Sequence, residues 1–374
     1  MKCGKQCAFE ESDLEHSHME TAINNLSKLT FTRFVAAMMV VAFHFGKSFY
    51  PFNGDNISGR FLQGPIAVQY FFLLSGFVLS VVYASERRQA FNSGKFWVAR
   101  FARIYPIYFL SLLFSYYLSP SEPLVVLLNL TLTQAWSAAH AVSMNNPGWS
   151  LSVEMFFYLM FPLILMVLTR KRLPIAVAVC IVSYAFLEYG PYYLVYPGQK
   201  QQILNVAAII TDPYFPVRNL PYFMIGATLG ALLKFGLIPR IMLAIFQHPA
   251  IYIAVLFAWL FYMLPFVAIP MCCLILSLVQ SDGPITKFFS GRFGVFLGEA
   301  SYAVYILHYP LYIWYFNFVQ PLYEAPEVVK FYLYIALLLV LSMVVFVAIE
   351  TPCRKAIRWF GAAGWRRSQP DKAF

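Results

Sequence analysis

Long apolar runs, broken by Pro, Gly and short charged clusters, organise the chain from residue 30 onward. They show neither the two-residue alternation of a half-buried strand nor the narrow stripe of a surface helix. Ten runs can be cut out, near 30–50, 64–84, 104–119, 149–169, 173–190, 219–236, 249–264, 266–280, 295–318 and 328–350. A helix of about 20 residues crosses a hydrocarbon core of roughly 30 Å. The pattern therefore predicts an all-α integral membrane protein of about ten transmembrane helices.

Composition narrows the class. Of 374 residues, 60% are hydrophobic and only 12% charged, where a soluble domain carries about a quarter charged residues. That excludes a cytosolic enzyme, a disordered tail and a nucleic-acid-binding domain. The net charge of +10 is confined to segments between apolar runs. With the N-terminus inside, 21 of the 27 Lys and Arg fall in inner segments, five in outer ones, and Arg33 opens the first span. Basic inner loops set membrane orientation, so both termini are expected in the cytoplasm. Residues 124–137 are apolar enough to suggest a span, but crossing there would put Arg170, Lys171 and Arg172 outside. Segment 120–148 is instead expected to be an outer loop with an interfacial or re-entrant helix.

Three regions follow: a polar cytoplasmic arm at 1–28, a transmembrane domain at 29–350 and a basic cytoplasmic tail at 351–374. No secretory signal precedes the first span. The six cysteines suggest no disulfide framework, and Cys3, Cys7, His16 and His18 match no common metal-ligand spacing. No metal site is expected. No internal repeat is evident, which weakens a transporter reading based on inverted repeats.

Ionisable groups in hydrocarbon are costly and ask for a reason. Arg33 and His44 lie eleven residues apart on the first span, on one helical face and about 16 Å apart along the axis. Arg33 can be a snorkelling anchor and His44 a packing histidine; both can equally serve a ligand. Trp149-Ser150-Leu151-Ser152-Val153-Glu154 opens the fourth span, with Ser150 and Glu154 on one face. Ser150 is also a candidate helix cap. The ninth span carries Ser301-Tyr302 and, later, His308. Counted by helix rise, His44, Glu154 and His308 lie about 20–22 Å from the inner face. Three polar groups at one depth suggest a shared water-accessible cavity. Arg100 and Arg103, three apart near the inner surface, suit a phosphate-rich ligand, or simply hold their loop inside.

In chain order, five features resemble the membrane-bound acyltransferase 3 family: Arg33 with His44, Ser75-Gly76-Phe77, Arg100-x-x-Arg103-Ile-x-Pro106, Trp149-Ser150-x-x-x-Glu154 and Ser301-Tyr302-x-x-Tyr305-x-x-His308-x-Pro310. The resemblance covers about residues 26 to 350. Gln63-Gly64-Pro65 stands where many members carry a Gly pair, and only a basic tail is expected after Glu350, where some relatives append a hydrolase-like domain.

The resemblance implies a multi-pass protein of the bacterial cytoplasmic (inner) membrane that moves an acyl group, acetyl by default, from acyl-coenzyme A on the cytoplasmic side to a hydroxyl of a cell-surface glycan or its lipid-linked precursor. A small lipid or secondary metabolite is the second choice of acceptor. Acyl-coenzyme A is then a co-substrate, with no resident cofactor, and the partners are membrane lipid and separate polysaccharide-assembly proteins. In that reading His44, Glu154 and His308 are catalytic: His44 as general base or acyl carrier, Glu154 orienting it or holding the sugar, His308 serving the oxyanion or acceptor. Arg33, Arg100, Arg103, Trp149, Ser150 and Tyr302 bind the substrates. The rival from another class is a transporter or flippase for a glycolipid or acyl group.

Overall fold

The structure, a computed structural model, describes residues 26–52, 64–85, 91–194, 212–262 and 266–367. The Cys3, Cys7, His16 and His18 set and most of the N-terminal arm lie outside them. Every regular element among the described residues is helical. In chain order they are α1 (Thr30–Phe45), α2 (Gly64–Tyr83), α3 (Ser93–Leu118), α4 (Pro123–Leu130), α5 (Trp149–Val167), α6 (Leu173–Leu194), α7 (Pro216–Lys234), α8 (Arg240–Ile245), α9 (Pro249–Tyr262), α10 (Ala268–Gln280), α11 (Pro284–Ser290), α12 (Arg292–Trp314), α13 (Glu327–Val345) and α14 (Thr351–Arg367). π-Helical turns extend α12 through Tyr315–Val319 and join α13 to α14 through Phe346–Glu350.

Four of these helical stretches are long and apolar enough to cross a membrane, the last running unbroken from Glu327 to Gly361. Counting α10 and α11, bent by 86°, as one broken span gives five. The protein is thus a helical, multi-pass membrane protein, and the expected ten spans exceed what length and composition alone support among the described helices. α12 is not among them. It is 23 residues long, but from Leu297 to Leu311 almost every residue is buried against other helices. A helix enclosed by protein can carry Ser301 and His308 without meeting lipid, whereas Glu299 lies on its exposed side.

Helix directions follow from contacts. α1 and α12 run parallel: a Cβ on Gly298 would lie 2.0 Å from the Thr30 carbonyl oxygen, and further along the same pair the rings of His44 and His308 meet. α2 and α7 are also parallel and closer still: Gly226 meets Leu73 and Phe77, Gly230 meets Phe77 and Ser80, and Lys234 Nζ donates to the Val82 carbonyl at 3.2 Å. A Cβ on Gly226 would lie 1.8 Å from the Leu73 oxygen, and one on Gly76 would lie 2.0 Å from the Phe223 oxygen. Such backbone approach is what small residues provide between helices in lipid, where no hydrophobic force drives helices together. α12 and α13 are antiparallel, with Phe296 beside Phe346 and the Tyr334 hydroxyl on the His308 carbonyl. Residue 30 and residue 350 therefore lie at one end of the bundle.

Two segments differ from expectation. The third span was expected from 104, but α3 begins at Ser93, capped by the Asn92 side chain. Charge punctuation misled the cut, because Arg100 and Arg103 sit within the helix and face a polar interior. The segment after Thr351, expected as a tail, is the helix α14, packed on α3. Segment 120–148 holds only the eight-residue α4 and two single 3₁₀ turns, too short to cross at 1.5 Å per residue. Side-chain amides brace it. Gln134 Nε2 donates to the Gly148 carbonyl at 3.0 Å, and Asn145 Nδ2 donates to the Ile306 carbonyl at 2.9 Å. The second bond ties the entry of α5 to the middle of α12.

Candidate functional site

Ser150 does not cap its helix. Gly148 precedes α5 without a side-chain cap bond, and the buried Ser150 hydroxyl donates to the Pro147 carbonyl at 3.0 Å and pairs with the Tyr305 hydroxyl at 2.7 Å. One turn further along α5, the Glu154 carboxylate accepts from the Ser75 hydroxyl at 3.3 Å and from the Tyr158 hydroxyl. Three helices thus meet at Glu154 and Ser150: α2, α5 and α12.

A cavity of about 100 Å³ opens between them, lined among others by Arg33, Ser75, Arg100, Arg103, Glu154 and Tyr305. The three guanidiniums come from α1 and α3. None forms an ion pair among the described residues. Arg100 lies over the Phe96 and Tyr158 rings, 5.7 and 5.9 Å from their centroids, and its Nε is buried without a partner. Three positive groups against the single carboxylate of Glu154 leave an uncompensated positive charge. Half-buried charge of this kind favours an anionic partner. A volume near 100 Å³ is well below a whole ligand pocket of roughly 300–1,000 Å³, so the cavity accommodates a group of phosphate size.

Tyr302 stands beside these arginines, and its hydroxyl donates to the Ile104 carbonyl at 2.6 Å. The bond joins α12 to α3 one residue beyond Arg103. Trp149 lines no part of the cavity; its ring packs edge-on against Phe72 and Tyr214.

His44 and His308 lie outside the cavity lining and form a separate pair. Their ring centroids are 5.2 Å apart with an interplanar angle of 67°. His308 is fully buried. Its Nδ1 contacts the Tyr305 carbonyl oxygen. That oxygen can only accept, so in the neutral ring Nδ1 carries the proton and Nε2 keeps its lone pair. Nε2 is buried and has no partner among the described residues. Tyr305 links the two regions: its hydroxyl reaches Ser150 on the cavity wall, and its ring lies 6.0 Å from that of His308. Glu154 contacts neither imidazole; its partners are Ser75 and Tyr158.

Sequence reasoning passed over several groups that shape the site. Glu350 was taken only as the end of the domain, yet it is buried, with one carboxylate oxygen unpartnered and the other 4.0 Å from the Arg354 guanidinium. Its position in a π-turn is a signal sequence does not carry. Asn145, whose side chain ties the entry of α5 to α12, was not singled out. No group of three or more His, Cys, Asp or Glu among the described residues forms a metal cluster.

A family model described as an acyltransferase domain matches residues 26–350. The chain belongs to the acyltransferase 3 family. It is 30% identical over 320 residues to acyltransferase MdmB of Streptomyces mycarofaciens, covering 78% of this chain and 80% of that protein. It is 24% identical to the peptidoglycan O-acetyltransferase OatA of Listeria monocytogenes, covering 86% of this chain and 55% of OatA. A putative O-acetyltransferase of Staphylococcus aureus, SAR0937, is 23% identical, over 90% of this chain and 58% of that protein. The chain thus spans little more than half the length of the latter two. No solved structure matches. The protein is an acyltransferase, and the transporter alternative gives way to that class.

Proposed function

We propose that this acyltransferase takes an acyl group, acetyl by default, from acyl-coenzyme A on the cytoplasmic side and transfers it to a hydroxyl of a cell-surface glycan or its lipid-linked precursor. The observation that carries the reading is the cavity lined by Arg33, Arg100 and Arg103, without an ion pair among the described residues, whose wall at Ser150 and Tyr305 adjoins buried His308 and its half-buried partner His44. Guanidiniums hold phosphates through paired, charge-assisted hydrogen bonds. Arg33 and His44 are about 16 Å apart along α1, a distance for the extended pantetheine arm to cover. The cationic end is the cytoplasmic end in this proposal, with both termini there and about ten crossings between them.

An alcohol is a poor nucleophile until its proton is taken. The imidazole pair supplies that base. The acceptor oxygen attacks the thioester carbonyl carbon, the carbon–sulfur bond breaks, and the proton gained by the imidazole pair goes to the departing thiolate. His308 Nε2, kept unprotonated by the Tyr305 carbonyl, serves as proton acceptor rather than as a donor to the oxyanion. Transfer by way of an acyl-histidine keeps the same atom balance in two steps. The similarity to OatA, a peptidoglycan O-acetyltransferase, supports a carbohydrate acceptor.

The test uses membranes holding wild type or His44→Ala at equal expression, supplied with acyl-labelled acetyl-coenzyme A. Label in glycolipid or polysaccharide with wild type alone is the expected result. Equal label with both chains would remove His44 from the chemistry. No label with wild type, from acetyl- or succinyl-coenzyme A, would overturn the donor.

A further inference from the structure

The helix after the last span carries its charges in register. Glu350, Arg354 and Arg358 are spaced by four, and Gly361 follows three later, so all four share one helical face. That face turns toward α3. A Cβ on Gly361 would lie 2.8 Å from Val98, two residues before Arg100. On the adjoining face, Cys353, Ala356, Ile357 and Phe360 line an open apolar groove with Tyr105, Pro106 and Phe109, beside the contact that packs α14 on α3.

The consequence is electrostatic. Arg358 lies within the field of Arg354, Arg100 and Arg103, and Glu350 within that of Arg103 and Arg354. Like charges so placed repel unless something binds between them. Glu350 is the buried carboxylate nearest to hand, and it reaches Arg354 only at 4.0 Å. Arg33, Arg100 and Arg103 line the cavity with Glu154, Arg103 and Arg354 act on Glu350, and the exposed Arg358 lies in the field of Arg100, Arg103 and Arg354. The cavity of about 100 Å³ takes one phosphate-sized group, whereas coenzyme A carries a diphosphate and a separate ribose phosphate.

We propose that α14 is part of the donor site: Arg354 and Arg358 hold the coenzyme A phosphates that the Arg33–Arg100–Arg103 cavity cannot enclose, with Glu350 as the positioning residue that keeps Arg354 turned toward α3. The inference rests on the acyl-coenzyme A reading above. It makes the segment beyond residue 350 part of the binding machinery rather than a charged end that merely sets topology. The same phosphate chemistry is offered by anionic lipid headgroups, and exposed Trp359 and Phe360 leave that source open to α14.

The experiment measures coenzyme A binding by calorimetry to the full chain in nanodiscs, once in phosphatidylcholine and once with phosphatidylglycerol. Variants are Arg354→Gln/Arg358→Gln, Arg358→Gln alone, and Arg100→Gln/Arg103→Gln. The proposal expects the α14 double variant to weaken coenzyme A about tenfold or more in both lipids, and to weaken dephospho-coenzyme A less. Arg358→Gln keeps the Arg354–Glu350 pair and removes an exposed side chain without a hydrogen bond among the described residues, so it reports if the double variant does not fold; a loss of about threefold or more supports the proposal. Unchanged binding by the α14 variants, with loss in Arg100→Gln/Arg103→Gln, overturns the role of α14 and leaves the donor reading standing. A loss confined to phosphatidylglycerol discs assigns α14 to lipid and overturns it equally. No binding of coenzyme A by wild type overturns both.

Discussion

His44 and His308 bring their rings to 5.2 Å of each other from two helices that run parallel. The parallel course is fixed at the opposite end, where Gly298 lets the Thr30 backbone come closer than any side chain would permit. The imidazole pair thus depends on a glycine contact about 15 Å along α12. Tyr305 fixes the proton on His308 at Nδ1, which leaves Nε2 buried and without a partner among the described residues.

That arrangement predicts a separation of chemistry from folding. His308→Asn keeps a side-chain nitrogen near the place of Nδ1 for the Tyr305 carbonyl but offers no base. Transfer should fall by about 100-fold or more, while the melting temperature in detergent shifts little. A variant that melts far lower in step with its lost activity would make His308 a packing residue.

Tyr302 offers a different split. Its hydroxyl is committed to the Ile104 carbonyl next to Arg103, so Tyr302→Phe frees α3 without touching a charge. The loss is about 1 kcal/mol of stability. Initial rates should show a KM for acyl-coenzyme A raised severalfold with kcat nearly kept. A fall in kcat alone would place the hydroxyl on the reacting atoms.

Much of this was legible in the residues. Long apolar runs gave the helices, and counting rise placed His44 and His308 at one depth. The same count put Glu154 at that depth, yet depth says nothing about which helices are neighbours, and Glu154 meets Ser75 and Tyr158 instead. Charge was read as a loop marker at Arg100 and Arg103, because a sequence does not reveal that a helix face is walled by protein. Glu350 and the α2–α7 approach at Gly76 and Gly226 stayed hidden for a related reason. A buried carboxylate and a close glycine acquire meaning only from the partner helix.

The α2–α7 contact gives a steric prediction. Gly226→Ala puts a Cβ where the Leu73 carbonyl oxygen stands, at 1.8 Å. Backbone cannot rotate aside, so the helices must part. About 1–3 kcal/mol of stability should go, and transfer with it, because α2 carries Ser75. Gly283→Ala is the control: its nearest neighbour is the Ser281 hydroxyl oxygen at 3.5 Å, an ordinary contact. Thermal melting of both should separate them clearly, and equal melting would deny the close packing.

Glu154 is the one carboxylate lining a cavity with three guanidiniums, and its removal tests what that charge does. Glu154→Gln retains an oxygen to accept from Ser75 and Tyr158 but leaves Arg33, Arg100 and Arg103 uncompensated. Coenzyme A should then bind a few-fold more tightly, since the phosphates no longer compete with a carboxylate in a poorly screened site. Turnover should fall about tenfold or more, because product coenzyme A is held by the same arginines and leaves more slowly. Calorimetry for affinity and a single-turnover experiment for the chemical step distinguish this from direct catalysis. A single-turnover rate near wild type with slowed multiple turnovers fits a charge-balancing carboxylate. A single-turnover rate that collapses while affinity stays fixed would instead put Glu154 on the acceptor or on the proton path, despite its separation from both imidazoles.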